Sequence, residues 1–241
     1  MIETKTEGGI LEVTLNRPKA NAIDGATSRE MGIVFEQFRD DPNMRVAIIT
    51  GGGDKFFCAG WDLKSAAEGE SVLTDYGVGG FGGLQELPNM NKPVIAAVNG
   101  ICCGGGFELA ISADIIIASE QASFALPEIN SGTVADAASI KLPKRIPYHI
   151  AMEMLLTGRW IDAVEANRWG IVNHIVSADN LLSHAWEIAK KLEAGPPLVM
   201  AAIKEVVRES EDKNFQDALN LINGEKLQTI KTLYNLSLIH I

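Results

Sequence analysis

Aromatic residues are scarce, at 6% of 241 residues, and cysteine is scarcer still, with three. Cys58, Cys102 and Cys103 form no Cys-x-x-Cys pair, and adjacent cysteines seldom bridge. That argues against a zinc site or any other metal centre, and for a reduced compartment. Positive charge is in deficit too: 21 basic against 31 acidic residues leave a net charge of −10. Nucleic acid and anionic membrane surfaces are therefore poor candidates for the main partner. An anionic small ligand would have to be held locally. No apolar run reaches membrane-spanning length, and Met1-Ile2-Glu3-Thr4-Lys5 shows no signal-peptide pattern, so a cytoplasmic protein is expected. Internal repeats and low-complexity linkers are missing as well. What remains, 46% hydrophobic and 22% charged residues, is the make-up of an ordinary globular protein with a sizeable core.

The most informative stretch is Asn99-Gly-Ile-Cys-Cys-Gly-Gly-Gly-Phe-Glu-Leu109. Before it, Val94-Ile95-Ala96-Ala97-Val98 is short, apolar and bounded by Pro93 and Gly100, as a buried strand is. After it, Glu108-Leu109-Ala110-Ile111 reads as a helix. Gly104, Gly105 and Gly106 thus sit at a strand-to-helix turn, where missing side chains let a ligand reach backbone N–H groups that the helix cannot satisfy. Such a turn suits an anion or an oxyanion. Close packing alone is the competing explanation.

In chain order, residues 10–15 alternate as a half-buried strand, and Met31, Val34, Phe35 and Phe38 mark one face of a helix. Val46 to Thr50 is a second buried strand. Lys55 to Lys64, centred on Gly60, is a second glycine-punctuated segment able to expose backbone donors. Alternating strands and helices predict a parallel α/β core in which the two loops meet at one edge of the sheet. Residues 65–83 are glycine-rich and aperiodic, so a mobile flap is expected. Residues 114–118 read as a strand, and 124–128 as a short strand delivering Glu128. From about Pro147 the pattern is mainly helical: 150–156, 163–169, a strand at 171–176, then helices at 181–192, 198–207 and 215–233.

With both glycine loops and both acids in hand, the chain resembles the crotonase (enoyl-CoA hydratase/isomerase) superfamily over roughly residues 8 to 230. The resemblance rests on Phe57-Cys-Ala-Gly-Trp-Asp-Leu-Lys64, on Pro93 to Leu109, on Ala122-Ser-Phe-Ala-Leu-Pro-Glu128, and on Thr157-Gly158 with Glu165-Ala166 and Trp169-Gly-Ile-Val172. It implies a spiral of repeated β-β-α units over residues 1–180, followed by a C-terminal helical region over 181–235. It also implies assembly as a homotrimer or dimer of trimers. By resemblance, Glu108 and Glu128 are the catalytic acid/base pair, and the N–H groups of Trp61 and Gly105 form the oxyanion hole. Lys19, Ala20, Ala22, Ala59, Asp62, Leu63 and Lys64 would meet the CoA moiety, and Tyr76, Phe81 and Asp136 would lie at the acyl pocket. The implied reaction is reversible hydration of an acyl-CoA thioester, with no cofactor beyond the CoA of the substrate. Arg17 to Asp24 and Ala59 to Glu70 point further, to an acyl chain ending in trimethylammonium, as in crotonobetainyl-CoA. A general enoyl-CoA hydratase and a non-catalytic acyl-CoA-binding protein are the alternatives. Dinucleotide binding is disfavoured, because the spacing is not Gly-x-Gly-x-x-Gly and the loop does not follow the first strand.

Two departures stand out. Where the family commonly shows Gly-x-x-Pro-Asp-Ser/Ala-Gly-Gly and then Arg, this chain has Gly132-Thr-Val-Ala-Asp-Ala-Ala-Ser139 and Lys141, so a tight-turn signal near the acyl pocket is lost. The last residues, Leu236-Ser-Leu-Ile-His-Ile241, are what a transposon-type adapter would encode. They are expected to be a non-native tail on a truncated helical region.

Overall fold

The computed structural model describes residues 1–17 and 19–223. The expected continuation of the last helix to residue 233 and the tail at 236–241 lie outside the described residues. The chain begins with an antiparallel hairpin of β1 (Ile2–Glu7) and β2 (Ile10–Leu15). After helix α1 (Gly25–Asp40), capped by the Asp24 carboxylate on Thr27 N–H, comes β3 (Val46–Gly51), parallel to β2. The chain then moves to a second sheet with β4 (Phe56–Cys58) and turns into α2 (Leu63–Ala67).

This two-sheet step repeats. β5 (Val94–Val98) pairs with β3, β6 (Ile101–Cys103) pairs with β4, and α3 (Gly105–Ala110) follows. β7 (Ile115–Ser119) pairs with β5, β8 (Ser123–Ala125) pairs with β6, and α4 (Glu128–Ser131) follows. Three parallel β-β-α turns of a spiral result, rather than the single sheet that simple strand–helix alternation predicts. Asn99 fixes one corner between the sheets: its Oδ1 accepts from Gly51 N–H at 3.1 Å, and its Nδ2 donates to Gly53 O at 2.9 Å.

Helices α5 (Asp136–Arg145) and α6 (Tyr148–Thr157) lead to β9 (Ile161–Asp162), which closes the small sheet in the order β4-β6-β8-β9. Helix α7 (Ala163–Arg168) then leads to β10 (His174–Val176), which completes the large sheet as β1-β2-β3-β5-β7-β10. Helices α8 (Leu181–Glu193), α9 (Pro197–Ser210) and α10 (Phe215–Asn223) end the described chain. β3 and β5 are buried on both faces, which explains their unbroken apolar sequences. Ala47, Ile49, Val94, Ala96 and Val98 face the main core, while Val46, Ile48, Ile95 and Ala97 meet Leu181, Ala185 and Ala189 of α8. The helix that opens the 181–235 segment is thus packed on the large sheet.

Several expectations shift in detail. β4, β6 and β8 occupy stretches expected as loops or as one longer strand, and α5 falls where a missing turn was expected. The strand anticipated over 171–176 is confined to His174–Val176.

Candidate active site

The small sheet builds the site. Its parallel register sets Cys58 beside Cys102 and Cys103 beside Ala125, so three loops leave the sheet together at the carboxyl ends of β4, β6 and β8. These loops carry Ala59 to Trp61, Gly104 to Gly105, and Leu126 to Glu128. The first two approach very closely: a Cβ added at Gly60 (φ +88°) would stand 2.9 Å from the Gly105 nitrogen and 2.8 Å from Cys103 O. Only glycine fits both that backbone and that gap. Neither the Trp61 N–H nor the Gly105 N–H has a hydrogen-bond acceptor among the described residues. Gly105 opens α3, where an N–H has no partner within the helix.

Glu108 and Glu128 flank Gly104. Glu108 N–H donates to Gly104 O at 3.0 Å, and a Cβ at Gly104 would lie 3.0 Å from Glu128 Oε1. Glu108 is buried, and its Oε1 accepts from Ala138 N–H at 2.9 Å. Burial raises its pKa above the ordinary value; the Ala138 and Ala137 amides and the Lys141 charge oppose that, and the Asp136 carboxylate adds to it. Burial therefore outweighs any help to the charged form from its place in α3. Glu128 goes further. Burial, joined by the charges of Glu108 and Asp136, pushes its carboxyl up to about 7, and its buried Oε2 has no hydrogen-bond partner among the described residues.

The expected pocket residues lie on the same side. The Phe81 ring covers Gly105 so closely that a Cβ there would fall 2.4 Å from its Cε1. Tyr76 stands edge-on to Phe81, ring centroids 5.4 Å apart. Asp136 is exposed at the start of α5, and its charge reaches Glu108, Glu128 and Tyr76. The flap is hydrogen-bonded to the fold, Gly82 N–H donating to Ser28 Oγ at 3.1 Å.

The expected CoA-contact residues also converge. Ala59 N–H donates to Ala20 O at 3.1 Å and Asp62 N–H to Ile23 O at 2.8 Å, which zips residues 20–23 onto 59–62. Lys19 (φ +78°), Leu63 and Lys64 are exposed beside them. The Asp62 carboxylate is already engaged, capping Lys64 N–H at 2.9 Å and pairing with Arg17 at 2.6 Å. Arg17 also pairs with Asp24 at 2.5 Å, so one guanidinium ties the caps of α1 and α2 together. Neither this role of Arg17 nor the Ala138 amide on Glu108 was read from sequence; both are contacts between distant segments. The approach of Glu70 to Trp61, with Trp61 Nε1 3.5 Å from Glu70 Oε1, was also missed, although Glu70 stands in the segment that carries the resemblance.

Parallel β-β-α turns, with one buried and one half-buried glutamate set against glycine-rich amide donors, define the class of fold and site found in enoyl-CoA hydratases. The chain belongs to the enoyl-CoA hydratase/isomerase family, whose pattern it matches over residues 5–232. It is 55% identical over 224 residues to the carnitinyl-CoA dehydratase of Proteus mirabilis (strain HI4320), covering 92% of this chain and 86% of that protein. Over 222 residues it is also 55% identical to the carnitinyl-CoA dehydratase of Escherichia coli (strain K12), covering 92% and 85%. The crystal structure of enoyl-CoA hydratase from Mycobacterium tuberculosis H37Rv matches with a TM-score of 0.85 at 38% identity, over 95% of this chain and 88% of that one. A carnitinyl-CoA dehydratase from Mycobacterium avium 104 gives 0.81 at 34% identity, over 98% and 91%.

Proposed function

We propose that this chain is a hydro-lyase that reversibly adds water to an enoyl-CoA thioester, converting crotonobetainyl-CoA to carnitinyl-CoA. The observation that carries this reading is a pair of carboxyls close enough for the charge of Glu108 to raise Glu128, the buried Glu108 held by a backbone amide and the half-buried Glu128 without a partner for Oε2 among the described residues. The Trp61 and Gly105 N–H groups receive the thioester oxygen, where enolate charge develops as Cβ is attacked. Two preorganised donors are worth several kcal/mol to such a step. Glu108, whose anion the Ala138 amide supports, takes a proton from water as its oxygen bonds to Cβ. Glu128, with its carboxyl raised to about 7, is half protonated at neutral pH and gives its proton to Cα. Dehydration runs the same transfers in reverse. No metal or further cofactor takes part.

The CoA moiety lies along Lys19, Ala20, Ala22, Ala59, Asp62, Leu63 and Lys64, with Lys19 and Lys64 supplying cations for its phosphates on an otherwise acidic chain and Asp62 contributing through its backbone. Among the described residues no helix is long and apolar enough to cross a membrane, and the protein acts in the cytoplasm. Exposed Ile140, Leu156, Trp160 and Val164 support self-association as a homotrimer or dimer of trimers.

Glu108→Gln and Glu128→Gln should each lower turnover by at least ~10²-fold while thioester binding persists. Near-normal rates in both variants would overturn the mechanism. Similarity to enoyl-CoA hydratases from Mycobacterium tuberculosis and Bacillus anthracis supports a second reading, a general enoyl-CoA hydratase. Equal kcat/KM on crotonyl-CoA and crotonobetainyl-CoA would favour it.

A further inference from the structure

Resting on the thioester-hydratase reading, we infer that Glu70 selects the acyl chain, forming with Trp61 and Tyr76 a subsite for a quaternary ammonium head. Glu70 lies in the loop after α2, where its N–H donates to Ser65 O at 2.9 Å. Its Oε1 accepts from Gly25 N–H at 2.9 Å, the first amide of the sixteen-residue α1, which fixes the position of the carboxylate. The same oxygen stands 3.5 Å from the Trp61 indole nitrogen. Trp61 supplies one of the two oxyanion amides, so Glu70 sits one side chain away from the reacting thioester.

The aromatic wall runs outward from the other amide: Phe81 lies on Gly105, and Tyr76 stacks edge-on against Phe81. Burial and the carboxylates of Glu70 and Asp136 all raise the Tyr76 hydroxyl, which sets this ring within reach of both charges. Its Oη donates to Val72 O at 3.3 Å.

Asp24 and Asp62 share Arg17, whereas Glu70 has no ion pair among the described residues. Arg29 of α1 brings its guanidinium to the same side of Gly25 as the Glu70 carboxylate, but it donates to Asp75 O and makes no ion pair with Glu70. A trimethylammonium group donates no hydrogen bond and cannot compete for the Gly25 or Trp61 contacts. It needs what this corner offers, a carboxylate without an ion pair beside aromatic surfaces. An uncharged alkyl chain of the same shape gains nothing from Glu70.

The test is Glu70→Gln, whose side-chain carbonyl can still accept from Gly25 and Trp61. Two substrates are compared: 4-trimethylammonio-but-2-enoyl-CoA and its uncharged isostere 5,5-dimethylhex-2-enoyl-CoA, in which tert-butyl replaces trimethylammonium. The wild type should prefer the cationic thioester, and E70Q should narrow that kcat/KM preference about tenfold through KM for the cationic substrate. An equal loss on both substrates would make Glu70 a latch for the flap and overturn the inference, as would an unchanged preference. Equilibrium binding of the unreactive saturated thioesters, 4-trimethylammoniobutanoyl-CoA and 5,5-dimethylhexanoyl-CoA, separates this inference from the reading beneath it. If nothing is hydrated but E70Q loses affinity for the cationic thioester alone, the hydratase reading falls and the subsite stands. If all enoyl thioesters are hydrated but E70Q discriminates as the wild type does, the reverse holds.

Discussion

Replacing Glu128 by glutamine should disable the enzyme and, as the pH rises through neutrality, stabilise the fold relative to wild type. Burial lifts the carboxyl from the ordinary 4.5 to about 7. The folded state therefore keeps its proton after the unfolded chain has released it. The stability conferred by the neutral carboxyl is fully present below pH 4.5, falls as the pH climbs, and is gone once the pH has passed about 7. A shift of that size corresponds to at most about 3 kcal/mol at 1.36 kcal/mol per decade of acidity. Glu128 is only half-buried, and solvent screening reduces the cost to about 1–2 kcal/mol. Glutamine has no such term. Oε2 has no hydrogen-bond partner among the described residues, so the substitution breaks no bond there. Measured against wild type, E128Q should gain about 1–2 kcal/mol on going from pH 5 to pH 8, or about 2–8 °C in Tm for a chain of this size. Thermal and urea unfolding followed by circular dichroism, at one protein concentration throughout, would read it. A difference between variant and wild type that is the same at both pH values would refute the reasoning.

The hydration rate should carry the same signature: kcat/KM falls as the pH rises through about 7, because Glu128 must be protonated to supply the Cα proton. Asp136→Asn removes a charge that raises this carboxyl and should move the inflection to lower pH while leaving most activity; loss of activity in this variant alone, with Glu108→Gln active, would point to a nucleophilic route instead. Gly105→Ala drives a methyl into the Phe81 ring and displaces the oxyanion amide, so kcat should fall at least tenfold with the circular dichroism spectrum unchanged. Arg17→Met strands Asp24 and Asp62 and should cost about 2–3 kcal/mol in urea unfolding, with a raised KM for every CoA thioester as the two capped loops separate.

What sequence conveyed well was the chemistry that is local in the chain. Gly104 and Gly105 sit at the strand-to-helix turn that the run of glycines announces, and Glu108 follows within α3. The three-residue strands β4, β6 and β8 were invisible as a second sheet, because three residues cannot display a period. Yet their register is what brings Gly60, Gly105 and Glu128 together. Contacts across the chain were equally hidden: Arg17 meets Asp62, Glu70 meets Gly25, and Ala138 meets Glu108, each a pairing that no spacing rule encodes.

The stretch Ala135 to Ser139 shows how a local reading can name the right place for the wrong reason. Without the family's proline and paired glycines it looks like a turn with its turn residues removed. In the structure it is the first turn of α5, which has no side-chain cap of its own. The cap comes from Glu108, whose carboxylate accepts from Ala138 N–H across 30 residues of sequence. Alanine and serine in place of glycine favour the helix by roughly 0.5–1 kcal/mol per residue. The substitutions therefore stiffen the element that holds the Glu108 carboxylate. They also bear on the division of labour between the acids: the amides at the start of α5 oppose the effect of burial on Glu108, while Glu128, with no partner for Oε2 among the described residues, keeps its proton into the neutral range. What each glutamate can reach sets its acidity, and under the proposed mechanism that difference lets Glu108 accept a proton while Glu128 gives one.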